Sequence, residues 1–292
     1  MRPGWRRREG TESHTMRLPS TLNYELSGDR RSSAILLLHG FMGSSADWRD
    51  VMAAIGDRAF CICVDLPGHG ASLGLAPGAY TIEGSAQAVV YVLDKLEVES
   101  PVIVGYSMGG RLALYLALRY QGLCAGLFLE SASPGLESEE EQNVRRAADE
   151  EKAKRLESED FEQFLSNWYR QPLFASLARD DKLLGQTIEA RLRNDPVELA
   201  RSLRGMGTGS QPSLWVELDG LAVPALAVAG GLDEKYATIS TRMASINPRI
   251  DSELVQGAGH NVHDEASAGY AALLGHFLDG LSLALGEAET DP

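Results

Sequence analysis

Short apolar runs alternate along the chain with longer stretches whose apolar residues recur at helical spacing. The runs predict β-strands at residues 22–27, 33–38, 59–64, 102–104, 125–129, 223–229 and 251–255. The stretches between them predict helices at residues 48–55, 81–96, 112–118 and 266–285. This alternation predicts an α/β fold, with a mostly parallel twisted sheet and helices on both faces.

The pattern changes after the fifth of these strands, where strand-like runs stop and charged residues become more frequent. Helical spacing continues over residues 137–157, 160–169, 176–193 and 195–206. Because strands resume at Val223, we interpret residues 136–212 as a helical lid inserted into one α/β core. That core comprises residues 21–135 and 213–285.

Composition narrows the class of protein. Hydrophobic residues make up 44% of the 292 residues, and no apolar run approaches the roughly 18 residues of a membrane span. The formal net charge of −14 argues against nucleic-acid binding, because no basic stripe offsets it. Cys61 and Cys63 alternate within an apolar strand and Cys124 makes the count odd, so we expect core-facing thiols in a reducing cytoplasm.

The two ends of the chain differ from the core. Residues 1–20 hold five arginines without the apolar segment of a signal peptide. They predict a disordered extension, or an over-extended start with Met16 as the true initiator. Residues 286–292 predict a loose acidic tail.

The strongest chemical signal is Gly-Tyr-Ser-Met-Gly at residues 105–109, between a predicted strand and a predicted helix. A serine on such a sharp turn presents its hydroxyl at the edge of the sheet, and the glycines leave room for strained backbone. The following helix N-terminus favours developing negative charge. Ser107 is therefore a candidate catalytic serine.

An acid and a histidine follow the serine in chain order, each just beyond an apolar strand. Asp233 follows Gly230-Gly231, and His260 follows Gly257-Ala258-Gly259. Ser107, Asp233 and His260 thus have the order that a serine triad on this kind of fold requires. Glu130 and His263 remain alternatives for the acid and the histidine.

Two further segments follow early strands. The loop His39-Gly40-Phe41 is placed to supply an oxyanion donor, for which the Phe41 N–H is the candidate. Asp65 and His69 flank a Pro-Gly turn, and we interpret them as side chains that tie this turn rather than as catalytic groups.

Residues 33–285 resemble the α/β-hydrolase superfamily through the motifs LLHGF, DLPGHG and GYSMGG. Within it they resemble the family of 2-succinyl-6-hydroxy-2,4-cyclohexadiene-1-carboxylate (SHCHC) synthases of menaquinone biosynthesis. This narrower resemblance depends on GYSMGGR, on PGL before an acidic and then arginine-bearing helix, on NWYRQPLFASL in the lid, and on AGHNVH.

The resemblance implies a role for each matching residue. The triad falls on Ser107, Asp233 and His260, and the oxyanion donors fall on the backbones of Phe41 and Met108. Substrate-binding arginines fall on Arg111, Arg145 and Arg191, with Arg193 as the alternative to the last, and the pocket is lined by Tyr106 and Trp168. Guanidinium groups bind carboxylates well, and Arg111 lies one helical turn past the serine.

The implied reaction is a lyase step that needs no metal or organic cofactor. It eliminates pyruvate from the tricarboxylate 2-succinyl-5-enolpyruvyl-6-hydroxy-3-cyclohexene-1-carboxylate to give SHCHC. Ser107, activated by His260, would remove the proton α to the succinyl carbonyl. The alternatives are a carboxylesterase or C–C bond hydrolase with a covalent Ser107, and a non-catalytic ligand-binding member of the fold. The sequence leaves the oligomeric state open.

Overall fold

The computed structural model describes residues 6–7 and 21–288. Its strands are β1 (Arg6–Arg7), β2 (Tyr24–Ser27), β3 (Ala34–Leu38), β4 (Phe60–Val64), β5 (Val102–Tyr106), β6 (Tyr120–Gln121), β7 (Gly126–Glu130), β8 (Ala225–Gly230) and β9 (Ile250–Val255). Within these described residues, seven strands form one sheet in the order β2-β4-β3-β5-β7-β8-β9. Within this sheet only the described β2–β4 pair is antiparallel, and β1 and β6 form a separate antiparallel ladder of two residues each.

Helices cover both faces of this sheet, as predicted. The α-helices are α1 (Arg49–Ile55), α2 (Ile82–Leu96), α3 (Met108–Arg119), α4 (Glu139–Ser158), α5 (Phe161–Trp168), α6 (Asp181–Arg191), α7 (Pro196–Met206), α8 (Glu234–Ile246), α9 (Val262–Glu265) and α10 (Ser267–Ala288). Side chains of β3 alternate between two cores: Leu36 and Leu38 pack with α2 and α3, while Ile35 and Leu37 pack with α1 and α10. Burial on both faces explains why the central strands are continuously apolar.

Helices α4 to α7 lie between β7 and β8 and have their own apolar cluster. This lid cluster includes Met42 from the loop after β3, so the lid packs on the core beside that loop. The predicted helix over 176–193 is wrong at its start, because α6 begins only at Asp181. Asp180 caps it by accepting from the backbone N–H groups of Lys182 and Leu183, and residues 177–179 form a separate 3₁₀ turn.

The predictions for the chain ends fall largely outside the described residues. Of residues 1–20, only Arg6 and Arg7 are described, paired with Gln121 and Tyr120. Helix α10 extends to Ala288, three residues into the predicted tail, and residues 289–292 lie outside the described part. Among the described residues, no helix is both long enough and apolar enough to cross a membrane.

Candidate active site

Ser107 occupies the sharp turn between β5 and α3, where its backbone has φ 49° and ψ −103°. This left-handed conformation is strained for a residue with a side chain, and it points to a functional constraint. The motif glycines have no room for a side chain. A Cβ on Gly105 would come within 2.6 Å of the Gly109 carbonyl oxygen, and one on Gly109 within 2.1 Å of the Leu38 carbonyl oxygen.

The three residues predicted as a triad come together although they lie on separate loops. The hydroxyl of Ser107 donates to His260 Nε2 at 3.1 Å, and His260 Nδ1–H donates to Asp233 Oδ2 at 2.7 Å. Asp233 also caps α8, since its Oδ1 accepts from the Tyr236 backbone N–H. His260 is 2% exposed and Asp233 8%, so their hydrogen bond is shielded from solvent. The arrangement can move the serine proton onto the imidazole.

Two backbone N–H groups are free beside the serine. In the part of the chain that the structure describes, neither the Phe41 nor the Met108 N–H donates a hydrogen bond to protein, and both residues line the cavity at Ser107. His39 holds the Phe41 loop: its Nδ1–H donates to the Gly40 carbonyl, and its Nε2 accepts from the Leu66 N–H. Burial lowers the pKa of His39, which keeps this linking ring neutral.

Asp65 and His69 tie the turn that contains them, as expected. Asp65 accepts hydrogen bonds from the backbone N–H groups of Ser45 and Ala71 and from the Asn23 amide. His69 is fully buried with its pKa lowered to about 3, mainly because burial disfavours the charged ring. The His69 ring packs against the Phe41 ring, and neither Asp65 nor His69 lines the cavity.

The alternatives Glu130 and His263 pair with each other and not with the serine. His263 Nδ1–H donates to the Glu130 carboxylate at 2.8 Å, and the two side chains are 2% and 0% exposed. Neither lines the cavity. The geometry therefore favours Asp233 and His260 as the partners of Ser107.

A cavity of about 130 Å³ opens on Ser107 and His260 between the sheet edge and the lid. The residues that the sequence singled out here all contribute to its lining: Phe41, Tyr106, Met108, Arg111, Arg145, Trp168 and Arg191. Arg193 is exposed and does not line the cavity, so Arg191 is the third arginine at the site.

Comparisons with known proteins show which family has this sequence and fold. The sequence model of the alpha/beta hydrolase fold matches residues 33–267. A Bacillus subtilis protein provisionally named 2-succinyl-6-hydroxy-2,4-cyclohexadiene-1-carboxylate synthase is 35% identical over 256 residues, which are 87% of this chain and 93% of that protein. The synthase of that name from Serratia proteamaculans is 35% identical over 246 residues, 84% of this chain and 92% of its own.

A solved structure agrees with the sequence matches. The structure of MenH from S. aureus superimposes with a TM-score of 0.84 at 32% identity, covering 89% of this chain and 98% of that one. The chain belongs to the SHCHC synthase family of α/β hydrolases. The predicted α/β-hydrolase fold is thereby confirmed.

This family member holds its three cavity arginines in different ways. Arg111 is 7% exposed, and its guanidinium donates to the neutral Gln211 Oε1 at 2.6 Å. Burial lowers the pKa of Arg111 to about 10, and among the described residues no carboxylate forms an ion pair with it. A buried cation without an anionic partner is costly and marks a place where an anion can bind.

The other two arginines of this synthase family member already have acidic partners. Arg145 donates through Nε to Asp149 Oδ1 at 2.8 Å. Arg191 donates to Asp47 Oδ1 at 2.6 Å and to the Tyr169 hydroxyl at 3.3 Å. Asp47 belongs to the helical turn after the Phe41 loop, so Arg191 connects the lid to the oxyanion side of the site.

Sequence reasoning missed Lys235 and Tyr236, which also line the cavity of this family member. Lys235 follows the triad acid by two positions, and it forms no ion pair among the described residues. The Tyr236 ring lies 4.6 Å from that of His260. Their position in the chain could have predicted this role. Both residues lie in the first turn of the helix that begins at Asp233, and that turn must lie beside the histidine that Asp233 contacts.

Proposed function

We propose that this protein is a lyase that eliminates pyruvate from 2-succinyl-5-enolpyruvyl-6-hydroxy-3-cyclohexene-1-carboxylate, giving SHCHC in menaquinone biosynthesis. The observation that carries the proposal is a serine triad opening into a cavity with four cationic side chains, of which Arg111 is buried without a carboxylate. A substrate with three carboxylates supplies the missing anions. The names of the relatives support the same reaction.

The triad begins the reaction as a proton relay. His260 accepts the hydroxyl proton of Ser107 across their 3.1 Å hydrogen bond, and the serine oxygen removes the ring proton α to the succinyl carbonyl. The electron pair of that C–H bond delocalises onto the carbonyl oxygen. The Phe41 and Met108 N–H groups are placed to stabilise this enolate oxygen. Asp233 stabilises the imidazolium that results.

Collapse of the enolate completes the elimination. Its electrons form a double bond between ring carbons 2 and 3, the existing ring double bond shifts to carbons 4 and 5, and the bond from carbon 5 to the enolpyruvyl oxygen breaks. The departing enolpyruvate takes up a proton and becomes pyruvate. Atoms and electrons balance without an oxidant, a reductant or water.

The decisive experiment measures pyruvate release from freshly generated substrate, beside hydrolysis of p-nitrophenyl acetate. We expect wild type to release pyruvate with little ester hydrolysis, and Ser107→Ala to lose at least about 10³-fold in kcat because the relay has no base. Ser245→Ala, at an exposed position on α8, is the matched control. Rapid ester hydrolysis without pyruvate release would instead identify a carboxylesterase that uses Ser107 covalently.

We also infer that the protein acts in the cytoplasm on a small anionic substrate. The three cysteines are free and buried. Burial raises the pKa of each thiol, to about 11 for Cys61, so the thiols stay protonated. Such thiols support a reducing compartment as the place of action.

A further inference from the structure

A second acid–histidine pair lies directly beneath the triad. The Glu130 carboxylate accepts from the His263 ring Nδ1–H at 2.8 Å and from the His263 backbone N–H at 3.1 Å. The two residues are 133 positions apart and fully enclosed. Neither contacts the cavity, so the proposed reaction does not use them directly.

Glu130 and its neighbour Ser131 hold the backbones of both reacting residues. The Glu130 carbonyl accepts from the Ser107 N–H at 2.8 Å, at the strained turn. The Ser131 hydroxyl donates to the His260 carbonyl at 2.8 Å. One dipeptide at the end of β7 thus contacts the serine turn and the histidine loop, and the Glu130 side chain adds a third connection through His263.

The His263 ring also packs against two aromatic side chains, one of which lines the cavity. It stacks on Trp48 with centroids 4.9 Å apart, and it meets the edge of Tyr106 at 4.8 Å. Tyr106 in turn lies 5.6 Å from the His260 ring and lines the cavity. A shift of His263 would therefore move the floor of the cavity as well as the His260 loop.

The charged and titratable groups facing His263 favour its protonated form. They come from the 3₁₀ turn after the Phe41 loop, from β5, β7 and α10 and from its own helix: Asp47, Tyr106, Glu130, Tyr270 and Asp264. Burial lowers the pKa of His263, but Glu130 and then Asp264 outweigh it and raise the pKa to about 9. The raised pKa favours the imidazolium form of His263 at neutral pH.

A buried ion pair contributes little net stability, because desolvation offsets the attraction. Removing one charge, however, leaves the other buried and unpaired, which costs several kcal/mol and forces the surroundings to move. Displacements of about 1 Å at a reacting centre can cost about 10²-fold in rate. The pair therefore makes the alignment of the site depend on the charge of His263.

We propose that the Glu130–His263 ion pair is a positioning unit that aligns the Ser107 turn with the His260 loop, and that it does so only while His263 is charged. The inference rests on the proposed function, because pyruvate release is its readout. Glu130 and His263 are positioning residues, since their side chains reach the reacting atoms only through others.

The test compares Glu130→Gln with wild type across pH 6.5–10, after subtraction of the enzyme-free rate. Glutamine preserves the shape and one acceptor but cannot hold the imidazolium. At pH 7.5 we expect kcat to fall about tenfold with KM within twofold, because alignment and not substrate contact is lost. Wild-type kcat should fall as pH rises through about 9, where His263 loses its proton. Glu130→Gln should lack this limb.

His276→Gln, at an exposed position on α10, is the matched control and should keep the wild-type profile. A folded Glu130→Gln enzyme with wild-type kcat would overturn the proposal. If that variant does not fold, ¹⁵N NMR of wild type gives the pH range over which the His263 ring loses its proton. A wild-type kcat that stays constant across that range would also overturn the proposal. If wild type releases no pyruvate, that result counts against the proposed function alone. Glu130→Gln and wild type are then compared across the same pH range by their hydrolysis of p-nitrophenyl acetate.

Discussion

At the scale of single residues, the four cations at the cavity differ in what already balances their charge. Asp149 accepts from Arg145, and Asp47 accepts from Arg191. Arg111 has only the neutral Gln211, and Lys235 has no ion pair among the described residues. The substrate gains most from cations that are not yet paired, so Arg111 and Lys235 should contribute most to carboxylate binding.

Lys235 is the residue with which to test this difference, because its loss leaves the buried hydrogen bonds intact. We expect Lys235→Gln to raise KM about tenfold, equivalent to about 1.4 kcal/mol, with kcat within about threefold. Steady-state pyruvate release measures both constants. The matched control, Lys182→Gln on the exposed side of α6, should leave both unchanged. An unaltered KM in Lys235→Gln would remove the lysine from the binding site.

At the scale of elements, the site depends on how closely α3 approaches β3 and β5. The second residue of α3, Gly109, has its Cα against the carbonyl oxygens of Leu38 and His39, where a Cβ would lie 2.1 Å and 2.6 Å away. Backbone atoms cannot move aside as a flexible side chain can. The helix can therefore point its N-terminus at the site only because this position is glycine.

We expect Gly109→Ala to lower the free energy of unfolding by about 3 kcal/mol and to reduce kcat, since α3 and the Met108 N–H must shift. Gly185→Ala is the matched control, because that α6 position has open space around it. Alanine there should leave kcat unchanged and stabilise by up to about 1 kcal/mol through helix propensity. Urea unfolding measures both. Equal stability of the two variants would contradict the close-approach argument.

Sequence patterns predicted these elements well where the signal was local. The buried strands appear as apolar runs, and β5 needs glycine at Gly105 because of contacts with Gly109 and Gly110 in the same turn. The start of α6 was missed, since the Asp180 cap competes with an apolar pattern that continues across it. The partners of Arg191 and Arg111 could not be predicted, because Asp47 lies 144 residues from Arg191 and Gln211 lies 100 residues from Arg111. Only the fold brings them together.

At the scale of the whole molecule, the buried histidines affect the free energy of unfolding in two opposite ways as the pH changes. The pKa of His69 is lowered to about 3 and that of His39 is lowered, both chiefly by burial, so the unfolded chain binds more protons below about pH 6.5. Acid therefore favours unfolding. The pKa of His263 is raised to about 9, so the folded chain holds more protons between about pH 6.5 and 9, and stability falls as pH rises through this window.

These slopes predict maximal stability near pH 6.5, followed by a loss on the order of 3 kcal/mol towards pH 9 that belongs to His263. The three buried thiols add to this decline chiefly above pH 8.5, because their unfolded pKa values lie near 8.5–9 and burial raises their folded values. Urea unfolding at pH 6.5, 7.5 and 8.5 should show the decline in wild type. The double variant Glu130→Gln, His263→Gln leaves neither charge buried alone, so its stability should be flat across the same interval while the loss of stability in acid remains. A wild-type curve that is also flat from 6.5 to 8.5 would mean that His263 is not held as an imidazolium, and the positioning role of the Glu130–His263 pair would lose its physical basis.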